Sequence, residues 1–75
     1  MNAPIIDTVQ ALEAAHKLFE HAFKIGQETE YGIRLLRIAD SGFSAVVPYL
    51  RNRSTPVQRK HADSINIMLQ EADKI

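Results

Sequence analysis

The sequence predicts an all-α fold: a small three-helix up-down bundle with helix two kinked or split near Gly42/Pro48. Three observations predict it. Apolar residues recur at helical period in three windows, and no stretch alternates apolar and polar residues as a half-buried strand does. Helix punctuation falls between the windows, at Gly26 and again at Thr55-Pro56. The links, about Gly26–Glu28 and Asn52–Ser54, are short, and short links make consecutive helices antiparallel neighbours.

Helix one is expected from about Pro4 or Asp7 to about Lys24. Asp7 with Gln10 forms a possible capping box, and Pro4 suits a first turn if the helix begins earlier. Ile5, Val9, Ala11, Leu12, Ala15, Leu18, Phe19, Ala22 and Phe23 fall on one arc of roughly 180° at ~100° per residue. Gln10, Glu13, Lys17, Glu20 and Lys24 fill the opposite arc. Glu13–Lys17 and Glu20–Lys24 have the acid-first i,i+4 order that supports a helix. Gly26 is the natural C-cap.

Helix two is expected from about Thr29 or Glu30 to about residue 52. Tyr31, Leu35, Ile38, Ala39, Gly42, Phe43, Val46 and Leu50 form one stripe, with Arg34, Arg37, Ser41 and Ser44 on the other side. The phase runs through Gly42 without a reset, whereas a turn there would break it. Pro48 lacks the N–H that would bond to the Ser44 carbonyl and its ring crowds that oxygen, so a kink or local end is expected near Ser44–Val47. Gly42 lies on the stripe, where a missing side chain lets another helix come close.

Helix three carries the clearest start signal: Thr55 as N-cap, Pro56 as first helical residue and Gln58 completing a capping box. Val57, His61, Ile65, Met68, Leu69, Ala72 and Ile75 make its apolar face; Arg59, Lys60, Asp63, Gln70 and Lys74 are solvated.

At 75 residues the chain is expected to be a single helical domain, residues 1–75. So short a chain buries only about 60% of its unfolded surface and gains from outside support. With no cysteine, that support is neither a disulfide nor a thiolate metal site. No apolar run reaches the roughly 20 residues that span a bilayer, and Met1–Asp7 lacks a signal peptide's basic start and apolar core. A cytoplasmic protein without a membrane segment is the expectation. The formal net charge is zero but uneven. Residues 1–33 hold five acids against two bases, a net −3, and residues 34–75 hold seven bases against four acids, a net +3. Such a dipole favours a polarised partner surface.

Asp40-Ser41, in mid-chain at helical phase, resembles the attachment site of acyl carrier proteins, where a serine after aspartate carries phosphopantetheine. That resemblance implies a bulky aliphatic residue after the serine and an acidic helix beyond it. Gly42, Arg51 and Arg53 stand there instead, so no cofactor is expected. The run Gly42 to Pro56 resembles the turn and recognition helix of repressor-type helix-turn-helix domains. This implies a DNA-binding regulator reading the major groove and phosphates through Arg34, Arg37, Arg51, Arg53, Arg59 and Lys60. The register misses by one: Ile38 stands where a small residue belongs, and Pro48 where a buried aliphatic belongs. Glu13-x-x-His16 is half of a di-iron helix pattern, but its carboxylate points to the polar arc and no second copy of the pattern exists. No metal site and no catalytic residue is expected.

Binding remains the expected activity. The apolar arcs of helices one and two are wider than two neighbouring helices cover, which points to a homodimer or a partner helix. The expected anchors are Phe19, Phe23, Phe43 and Tyr49, because aromatic side chains carry much of the contact energy at interfaces. His61, alone in the middle of an apolar face, joins them as a core or interface histidine whose titration could make association pH-sensitive.

Overall fold

The computed structural model describes residues 7–51 and 55–75. Those residues form three α-helices that all pack against one another: α1 (Thr8–Ile25), α2 (Glu30–Leu50) and α3 (Arg59–Asp73), with no strand among them.

Helix α1 starts where Asp7 caps it. The Asp7 carboxylate accepts from the backbone N–H of Val9 (2.9 Å) and Gln10 (3.4 Å). Pro4, the alternative start, lies outside the described residues. The helix stops at Gly26, which adopts φ +103°, a conformation that a side chain disfavours. The Gly26 N–H bonds back to the Ala22 carbonyl at 3.1 Å.

The 26–29 connection is held by its own hydrogen bonds. Thr29 donates its hydroxyl to the Gly26 carbonyl (2.6 Å) and accepts from the Gly32 N–H (3.0 Å), so one side chain both closes the loop and caps α2. The Gly26 carbonyl passes directly over Gly32, where a Cβ would collide with it.

Helix α2 runs unbroken through Gly42 and Pro48. The expected kink or split near Gly42/Pro48 is therefore corrected to a single 21-residue helix. Pro48 stands in the last turn, so its missing hydrogen bond coincides with the place where the helix ends. Gly42 is continuous with its neighbours because it faces α3: a Cβ there would lie 2.8 Å from the Met68 Cβ. Its cost in helix propensity is the condition for that contact.

The start of α3 is also corrected. Thr55 and Pro56 do not open the helix, and Gln58 stands at the N-cap without a side-chain capping bond. The Gln58 N–H instead donates to the Tyr49 hydroxyl of α2 at 2.9 Å. This tie keeps Gln58 extended (ψ 146°), and helical geometry begins only at Arg59.

Contacts between α2 and α3 run in opposite directions along the two chains. Tyr49 meets His61, Ser41 meets Ser64, Gly42 meets Met68 and Arg34 approaches Glu71. The two helices are thus antiparallel, and the short connection makes α1 antiparallel to α2.

The core between the helices is built largely from small residues. Ala11, Ala14, Ala15 and Ala22 surround Leu18 on α1; Leu35, Ala39, Ala45 and Val46 face them from α2; Ile65, Met68 and Ala72 close the core from α3. Helices lined by alanine and glycine approach closely, which gains dispersion contacts but leaves little room for aromatic rings. Tyr31, Phe43 and Leu50, expected on the buried stripe of α2, are exposed, as are Val9 and Phe23 of α1; Tyr49 is buried instead.

The Gly42–Met68 contact predicts the sign of one substitution. Gly42→Ala gains roughly 1 kcal/mol of helix propensity, but overpacking costs about 1–3 kcal/mol. The nearest atom is the Met68 Sδ at 2.5 Å, which can swing away, but the Met68 Cβ at 2.8 Å is fixed to the α3 backbone and cannot. A net loss near 1 kcal/mol lowers Tm by about 4–8 °C in a domain of this size, measurable by thermal melting followed by circular dichroism. An unchanged or raised Tm would show that α2 and α3 can separate at this point without cost.

Candidate interaction surface

Helix α3 covers one side of the α1–α2 pair. It meets α2 along Arg34, Ser41, Gly42 and Tyr49, and Gln10, Ala14 and Lys17 of α1 share a shallow depression with Leu69, Ala72 and Asp73. Both sets lie on the same side of their helices, so the opposite side of the pair is left without a covering helix.

That open side carries two apolar stripes. On α2 it is Ile33, Leu36, Asp40, Phe43, Val47 and Leu50, spaced alternately by three and four residues. On α1 it is Val9, Leu12, His16, Phe19 and Phe23, with the same spacing. Alternation of three and four is the pattern by which a helix presents a continuous seam to another helix. Leu12, Phe19 and Leu36 are half-buried against the edge of the core, while Phe23 is 60% exposed and Val47 46%. Each stripe has one polar member. His16 pairs with Glu20 at 3.2 Å on the exposed surface, and Asp40 is exposed. Glu20 thus turns back to His16 rather than forward to Lys24.

Of the five expected anchors, the structure brings Phe19, Phe23 and Phe43 to this face. It places Tyr49 and His61 elsewhere. Tyr49 is 4% exposed, its ring edge-on to His61 with centroids 5.5 Å apart, and its hydroxyl lies 2.7 Å from His61 Nδ1. The hydroxyl accepts from the Gln58 N–H and can donate to His61, so both partners lie within this chain. Ile33 and Val47, which complete the α2 stripe, were not among the expected anchors; the three-four spacing was the available signal.

Of the expected basic residues, the described ones fall in two places, Arg34 and Arg37 in the first half of α2, and Arg51, Arg59 and Lys60 where α2 ends and α3 begins. Arg34 lies 3.9 Å from Glu71, a carboxylate tucked between α2 and α3 that Lys74 also contacts at 3.3 Å. Arg37 and Arg51 are exposed along the flank of the α2 stripe, and Arg59 and Lys60 are exposed at the first turn of α3. Arg53 lies outside the described residues. A helix-turn-helix needs a chain reversal at Gly42, and α2 passes straight through that position.

Among the described residues no three His, Asp or Glu side chains are placed to share a metal ion, and no helix is long and apolar enough to cross a membrane. Ser41 donates to Ser64 at 3.5 Å across the α2–α3 contact.

The fold and this face define an all-α bundle of three helices with a two-helix apolar side. Compared with protein-family models, curated proteins and solved structures, the chain matches none.

The Tyr49 hydroxyl yields a prediction. Tyr49→Phe keeps the ring but removes the acceptor for Gln58 and the donor for His61. Leaving a part-buried N–H unpaired costs about 1–3 kcal/mol. The unfolding free energy from urea titration should fall by that amount, seen as a lower midpoint at an unchanged slope; no shift would mean that water replaces the hydroxyl freely.

Proposed function

We propose that this chain is a small helical protein–protein interaction module, without catalytic activity, that works in the cytoplasm by binding through the α1–α2 face. The observation carrying this reading is the concentration of large apolar side chains on the side that α3 leaves open. Phe23, Ile33, Phe43, Val47 and Leu50 are all exposed there, on two seams with helix-pairing spacing. Contiguous apolar surface of this kind is costly in water and characteristic of surfaces that meet another protein.

The shape of the face supports the same role. Two antiparallel helices with stripes turned the same way form a broad ribbed surface. A partner's helices can lay their own ridges into its grooves. A regulatory use follows from such a module: its occupancy changes what else the partner can bind.

Site-specific photo-crosslinking tests the reading. A photoreactive side chain at Phe43 should yield protein adducts in cells, self-adducts included, while the same group at Asp63 on the exposed side of α3 should yield few. Equal adduct formation at both positions, or none at Phe43, would sink the reading.

A further inference from the structure

We propose that the hollow between α2 and the first turns of α3 is a binding site for a phosphate group, carried by a small molecule or free. It lies on the α2–α3 side of the bundle, away from the α1–α2 face, and depends on nothing proposed for that face.

The lining carries the chemistry. Ser41, Ser44 and Ala45 of α2 and Lys60, His61 and Ser64 of α3 enclose about 310 Å³. Ser41 and Ser44, three residues apart, share a side of α2; Lys60 and Ser64, four apart, share a side of α3. Ala45 is buried, and its small side chain leaves the hollow open. Three hydroxyls, an ammonium and an imidazole thus line one space, with no carboxylate among them.

These groups have donors to give. Ser41 reaches Ser64 only at 3.5 Å, and Ser64 reaches the Lys60 carbonyl at 3.4 Å, both beyond the usual range for a hydroxyl. An oxyanion offers the same hydroxyls a shorter, charge-assisted bond. His61 is set as a donor by its neighbour. The Gln58 N–H donates to the Tyr49 hydroxyl at 2.9 Å, and the hydroxyl proton turns to His61 Nδ1 at 2.7 Å. The neutral ring then holds its own proton on Nε2 and has an N–H to offer there.

The surroundings favour negative charge. Lys60 supplies a full positive charge at the N-terminal end of α3, where the helix dipole adds a partial one. Arg37 lies one turn before Ser41, and Arg51 two turns after Ser44, on the same side of α2. Shape selects among anions. The donors come from two helices and surround a ligand instead of meeting it in one plane. A carboxylate has two coplanar oxygens, whereas a phosphate monoester presents three strong acceptors and roughly −1.5 to −2 charge at neutral pH. The volume stands at the lower end of small-molecule sites, about 300–1,000 Å³, and no large apolar side chain lines it, so the ligand is compact and polar. Because both helices contribute donors, an occupant ties α2 to α3.

Amide NMR titrations of the full chain test the proposal, with sodium phosphate, glycerol phosphate and, at matched ionic strength, sodium acetate. Both phosphates should give saturable shifts at Ser41, Ser44, Lys60, His61 and Ser64, with a Kd of about 1 mM or tighter. Both should raise Tm as they bind, and acetate should do neither. Tighter binding of glycerol phosphate identifies a phosphorylated small molecule as the ligand; equal or tighter binding of inorganic phosphate identifies the free ion. Lys60→Gln should weaken binding at least tenfold, and Lys74→Gln, at the other end of α3, should leave it unchanged. Ser41→Ala/Ser44→Ala should weaken it as well, with helical circular dichroism retained because alanine favours the helix. The absence of saturable shifts up to about 20 mM overturns the proposal. So does acetate binding equally well, a double serine variant that binds like the parent, or equal losses in Lys60→Gln and Lys74→Gln, since each describes a general response to ions and not a built site.

Discussion

The close approach of the three helices governs the rest of this molecule. Four alanines on α1 and Gly42 on α2 let backbones meet at short range, and Gly42 is filled by Met68 with no space to spare. Close packing of small residues gives a dense core from little apolar volume. Its consequence is geometric. Among the described residues only Leu18, Leu35, Val46, Ile65 and Met68 are large apolar side chains buried almost completely, while nine large ones stay exposed. The aromatic rings are outside because the helices are too near one another to admit them.

Tyr49 is the exception, and its position explains the far end of the bundle. Its ring enters where α2 is about to stop, and its hydroxyl gathers the backbone of Gln58 and the His61 ring. One buried polar atom thereby fixes where α3 begins and how it leaves the connection. Pro48, one residue earlier, removes one hydrogen bond from the last turn of α2, and the helix continues unbroken to Leu50.

Much of the architecture was legible because helix signals are local. The Asp7 and Gly26 caps of α1 and the Thr29 start of α2 follow from short-range chemistry, and the role of Gly42 follows from its phase on a continuous stripe. The misreadings share one cause: a tertiary contact outranked a local signal. Thr55-Pro56-x-Gln58 has the form of a helix start, but the Gln58 N–H is taken by Tyr49. Pro48 carries a kink signal, but only the neighbouring fold decides whether the chain continues beyond it. Phe43 and Leu50 share an arc with Ala39 and Val46, and periodicity cannot say which side of a wide arc faces inward. The identity of the buried side depends on which residues are small enough to let helices meet. On α2 these are Gly32, Ala39, Gly42 and Ala45, offset by part of a turn from the bulky stripe. The same offset hides the candidate surface: an arc of half the helix is in fact two stripes, a small-residue one turned inward and a large-residue one turned outward.

That division bears on stability as well as on binding. A chain of 75 residues retains only a few kcal/mol of net folding free energy after conformational entropy is offset. The inner stripe contributes through dense packing, but alanine and glycine remove little apolar area from water. A further reserve of hydrophobic free energy resides in Phe23, Ile33, Phe43, Val47 and Leu50, which keep 40–60% of their surface in water; burying such a side chain from full exposure is worth roughly 1.5–3 kcal/mol. Association of the proposed kind, through the outer stripe, would add several kcal/mol at most to that net stability. Under the proposed role, such a bundle couples its folding to its partner: the inner stripe sets the shape, and the outer stripe holds it when occupied.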